Sequence, residues 1–115
     1  VLPPYEPYIP KNLREVTDKL KTMMISSPRF ENITGYFPGR NIDTTFYELN
    51  EGLQLIREKI DEEIYLKLRE MSDKMRAYFE ADPEDKTDDS IKGREVIYDM
   101  IEILKNFRRR PRSEA

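Results

Sequence analysis

Apolar residues recur along this chain at intervals of three and four, the repeat of an α-helix buried along one side. Leu13, Val16, Leu20 and Met23 mark a first helix. Asn12 just before them is a favourable N-cap, and Glu15 is spaced to reach back to the cap's amide. Ser26, Ser27 and Pro28 should end it, because the residue before a proline is pushed out of helical geometry. A second stripe, Phe46, Leu49, Leu53, Ile56 and Ile60, follows at spacings of three, four, three and four. Its start reads as a capping box from Thr45 to Glu48, with Asp43 and Thr44 as competing caps.

The pattern then continues through Ile64, Leu68, Met71, Met75 and Phe79, with neither Gly nor Pro between Leu53 and Asp82. One helix over 45–80 would be about 54 Å long, long for so small a chain. Asp61, Glu62 and Glu63 resemble a cap and an acidic first turn, which the helix dipole favours. The expectation is therefore two helices with a tight break near 59–62. Ala81, Asp82 and Pro83 close the third helix, and a fourth should run from about 87–90 to Phe107. In it Val96, Met100, Ile103 and Phe107 form one stripe, and Ile97, Ile101 and Leu104 the next. Gly93 inside this helix costs about 1 kcal/mol relative to Ala, which suggests a close helix–helix approach. No strand-like alternation competes. The fold class expected is all-α, a compact bundle of about four helices.

Two segments stand outside the pattern. Residues 1–10 hold four prolines and read as an extended arm. Residues 26–43 form a long connection with Pro28, Gly35, Pro38 and Gly39, a length that is uncommon in a compact domain and often functional. Its Phe30, Ile33, Tyr36 and Phe37 are read first as anchors on the core. The sharper reading lets Tyr36, Phe37 or Arg40 reach a partner, since aromatics and arginine are favoured contact residues. The division expected is an arm (1–10), one helical domain (11–107) and a basic tail (108–115).

Composition narrows the function. Of 115 residues, 37% are hydrophobic and 37% charged, against an ordinary charged share of roughly 25%. Such a chain suits thin helices with wide solvated faces. It has no cysteine and no histidine, so disulfides, thiolate chemistry and imidazole acid–base or metal chemistry are unavailable. No apolar run approaches the roughly 18 residues of a membrane span and no signal-peptide pattern opens the chain, so a cytoplasmic location is expected. The chain opens on Val1 rather than Met, which leaves room for upstream residues or a removed leader.

The formal net charge of -3 averages over two opposed regions. From Glu80 to Asp89 six acidic residues face one Lys86, whereas Lys105, Arg108, Arg109, Arg110 and Arg112 crowd the C-terminal end. The acidic stretch lacks the glycine and closing glutamate of a calcium-binding EF-hand loop, so no metal is assigned to it. Asp88 or Asp89 is expected to cap the last helix. Asp82, Glu84, Asp85, Asp88 and Asp89 are also read as a negative surface that steers toward a basic partner. Nor does Gly35 to Gly39 have the spacing or lysine of a phosphate-binding loop. No pair of carboxylates stands out for acid–base work, so no catalytic residue and no cofactor are assigned. A binding protein rather than an enzyme is expected.

The helix Leu49–Ile60 (LNEGLQLIREKI) and the segment Met75–Glu84 (MRAYFEADPE) resemble the small helical immunity proteins encoded beside bacterial type VI secretion and Rhs toxins. Among these, the likeness extends to the immunity proteins of NAD(P)-degrading effectors. That family pairs an amphipathic L-Q-x-I-R helix with a helix ending in an F-[DE]-x-x-D-P-E-like turn. The likeness covers about 45–105, and the arm, the 26–43 connection and the basic tail depart from it. The resemblance implies a cognate toxin or effector as partner, bound and occluded by the helical domain, with no membrane partner. Two alternatives stay open. One is a helical adaptor or structural protein that forms homo-oligomers through the Phe46–Ile60 stripe. The other is a nucleic-acid-associated regulator using the arginine tail, against which a pI near 5.2 argues.

Overall fold

A computed structural model describes residues 8–30 and 41–109, and the backbone alone of Arg109. Among them are four α-helices and no strand: α1 (Leu13–Ser26), α2 (Ile42–Ile56), α3 (Glu62–Ala81) and α4 (Asp88–Arg109). One 3₁₀ turn, Arg57–Lys59, separates α2 from α3. Each helix packs on its sequence neighbour and α4 closes on α1, so the four form a ring without diagonal contacts. The all-helical expectation and the break between the second and third helices are both met. Of the arm, only Tyr8, Ile9 and Pro10 fall within the described residues.

Local chemistry explains the ends. The Asn12 side chain accepts the Glu15 amide at 2.9 Å and so caps α1. Glu15 does reach back, but to the backbone amide of Lys11 and the side-chain amide of Asn12 rather than the cap's backbone amide, and it also takes the Tyr8 hydroxyl at 2.7 Å. The Tyr8 hydroxyl and the Lys11 amide together hold the Glu15 carboxyl below the usual carboxylate range. At the far end Ser27 turns extended before Pro28, across a cis peptide.

The start of α2 corrects the sequence reading. Its cap is Asn41, not Thr45, and the capping box joins Asn41 to Thr44. Thr45 is buried, and Glu48 is 1% exposed. There Glu48 meets Lys19 of α1 at 2.6 Å and takes the Tyr8 amide at 2.7 Å. It is a buried tie between two helices and the arm, not a cap. Four cap-forming residues lie within 41–45, and tertiary burial, not local pattern, selects among them.

The core lies between the four helices. Phe79, near the end of α3, is buried in it with Leu20, Met23, Leu49, Leu53, Leu68, Met75, Ile97, Met100 and Leu104. Phe30 places its ring edge-on to Phe46 and Phe79, at 5.7 and 5.2 Å between centroids. It does so with φ of 60°, a left-handed conformation that is costly for a bulky residue and is offset here by burial. The anchoring role expected for the loop aromatics holds for Phe30. Gly93 has the packing role expected of it: a Cβ there would fall 2.6 Å from the Phe79 ring, so only glycine lets α4 approach α3 this closely.

Candidate functional site

The α3–α4 turn is built around one carboxylate. Asp82 accepts the backbone amides of Lys86 (2.7 Å), Thr87 (3.0 Å) and Ser90 (3.3 Å). The Ser90 hydroxyl in turn donates to the Asp82 carbonyl at 2.9 Å. Burial alone would raise this carboxyl's pKa, but the amides of Lys86 and Thr87, and then Ser90, outweigh it and hold the pKa well below the ordinary carboxylate value. Asp82 is 3% exposed. It therefore does not belong to the surface on which the sequence reading put it. Its charge satisfies the orphan amides at the start of α4, a task shared with the Thr87 hydroxyl, which accepts the Asp89 amide at 3.2 Å.

This arrangement carries a pH signature. A depressed folded-state pKa contributes stability that is complete above the unfolded value of 3.8 and is lost as pH falls below it. Asp82→Asn should therefore lower Tm by roughly 5–10 °C at neutral pH, the scale of a lost helix cap. That deficit should shrink as pH is taken below the unfolded value. Thermal unfolding of both proteins across an acid series measures it, and parallel curves would assign Asp82 no such role.

The other acids of the turn are exposed or half-exposed, and two of them are already paired. Glu84 meets Lys86 at 2.8 Å. Asp85 meets Arg94 at 2.8 Å and sits at φ of 56°, a conformation aspartate tolerates. Arg94 also donates to the Ser27 hydroxyl, and Arg29 to the Pro83 carbonyl, so the turn is fastened to the end of α1 and to the segment after it. Asp88 and Asp89 open α4, with Asp88 facing solvent and bearing no ion pair among the described residues. Tyr36, Phe37 and Arg40 lie outside the described residues.

The turn continues into a surface that the sequence reading missed. Asp88, Ile91, Glu95, Tyr98 and Glu102 succeed one another on α4 at spacings of three and four, on the side away from Val96, Met100 and Leu104. Ile91 and Tyr98 are 51% and 58% exposed. Two large apolar side chains inside an otherwise polar row were the available signal. The wide apolar face of this helix drew attention to its buried side instead.

Other constellations are structural. Arg57 pairs with Glu62 and lies 4.5 Å over the Tyr65 ring, closing the α2–α3 corner. Phe46, Leu49, Leu53, Ile56 and Ile60 are all buried, so the stripe read as a self-association surface is the core itself. Among the described residues no three acidic side chains converge in a metal-binding group, and no helix is long and apolar enough to cross a membrane. No family model matches the chain, and neither a curated protein nor a solved structure is significantly similar to it.

Proposed function

We propose that the protein binds and covers a basic surface on another protein, as a cytoplasmic immunity protein does to its toxin. The observation that carries this reading is the acidic edge on which exposed Asp88 and half-exposed Asp89 stand beside the paired Glu84 and Asp85, and which α4 prolongs through exposed Glu95 and Asp99. An acidic edge steers encounter with a positively charged cleft and disfavours polyanions. A standard interface of roughly 1,600 Å² in total lies within reach of a domain this size. The likeness of Leu49–Ile60 and Met75–Glu84 to immunity proteins supports a bacterial toxin or effector as that partner. The chemistry is occlusion, with no catalytic step and no cofactor on this side of the complex.

The test is co-expression with candidate toxin domains, followed by association kinetics on any toxin that is neutralised. Reversal of Asp85 is a poor probe, because a lysine there would oppose Arg94 and disturb a left-handed residue. Asp88→Lys with Glu95→Lys reverses two exposed acids that have no ion pair among the described residues and leaves the Asp82 bonds intact. The double reversal is expected to slow association with a basic toxin about tenfold at low salt and to flatten its salt dependence. Unchanged on-rates would remove the acidic edge from the mechanism.

A further inference from the structure

We infer that the outward face of α4 is the docking surface proper, and that it seats in an apolar cleft between basic ridges on a partner protein. The inference deepens the reading just given and rests on it for the sign of the partner's charge. Ile91 and Tyr98 are seven residues apart, two helical turns, so their side chains point the same way about 10 Å from one another. Acids flank them on the same row: Asp88 before Ile91, Glu95 between the two, and after Tyr98 Glu102, which Lys105 meets at 3.9 Å. Lys92 is the one base beside the row that has no ion pair among the described residues. This is the anchor spacing of a helix laid in a groove. A half-exposed tyrosine supplies large contact area at low conformational cost.

Charge decides the class of occupant. Nucleic acid and anionic lipid would be repelled by the acids, and a second copy of this face would set like charges together. A basic protein surface satisfies both the acids and the two apolar anchors. The other exposed apolar pair on one helix, Tyr47 and Leu55 of α2, is eight residues apart and diverges by about 80° at 3.6 residues per turn. It is not contiguous in sequence with the acidic turn.

The probe is a short amidated lysine–leucine amphipathic peptide, titrated into isotopically labelled protein and followed by NMR. Saturable shifts confined to residues 88–102 are expected. The Ile91→Ser/Tyr98→Ser double variant, with an unchanged circular dichroism spectrum, should bind about tenfold or more weakly. Charge attraction alone would survive that variant, so affinity unchanged within a factor of two overturns the inference. Absence of saturable binding overturns it, as do shifts centred on Tyr47 and Leu55. The toxin reading fails separately: it is lost if no toxin is neutralised, whatever the peptide does. It stands if the double variant neutralises a toxin as well as the unaltered protein does, and the α4 face is then ruled out.

Discussion

Phe79→Ala is expected to cost about 3–5 kcal/mol, because a fully buried aromatic is removed from a core that cannot collapse around the space. Its ring touches Phe30 edge-on from one side and lies against the bare backbone of Gly93 on another. Chemical denaturation measures the loss directly. A second substitution makes the explanation specific. In the unaltered protein Gly93→Ala drives a methyl into the ring, and the strain of overpacking, about 1–3 kcal/mol, outweighs the roughly 1 kcal/mol gained in helix propensity. In the Phe79→Ala background the same methyl enters the vacated space and should stabilise. A change of sign between the two backgrounds is the expected outcome, and the same sign in both would mean that the α3–α4 approach does not depend on this contact.

Glu48→Ala is expected to cost about 3 kcal/mol or more, since it leaves Lys19 charged in a site where its side chain is only 10% exposed. It also leaves the Tyr8 amide without its carboxylate. The loss is mostly the penalty of an uncompensated charge, not the worth of the pair. Lys19→Met with Glu48→Leu should therefore recover most of it, short of about 1 kcal/mol for the unmet Tyr8 amide. If the double variant is no more stable than Glu48→Ala, packing and not charge is what the site requires.

The helices were legible in the sequence because their apolar stripes repeat without interruption and their ends carry strong punctuation. Asn12 and the acidic run after Ile60 marked their helix starts. What was not legible required knowledge of distant neighbours. Nothing within a few residues of Glu48 reveals that Lys19, 29 positions earlier, will face it. Asp82 looked like one more surface acid because its partners are main-chain amides, which leave no trace in residue type. The acidic turn was found by counting charges. Counting could not tell that Glu84 and Asp85 are paired while Asp88 is open, nor that Ile91 and Tyr98 share its side of the molecule.

The fastening of the α3–α4 turn bears on how tightly its acids can hold a partner. A loop that must be ordered on contact surrenders part of its binding energy to lost backbone freedom, about 1–2 kcal/mol for each residue fixed. Here Asp82 has already drawn Lys86, Thr87 and Ser90 into place, and Arg94 and Arg29 tie Asp85 and Pro83 to the chain around the end of α1. That ordering was settled when the chain folded. A partner docking as proposed would therefore meet a preorganised edge, and the entropy otherwise spent on ordering it would be retained as affinity.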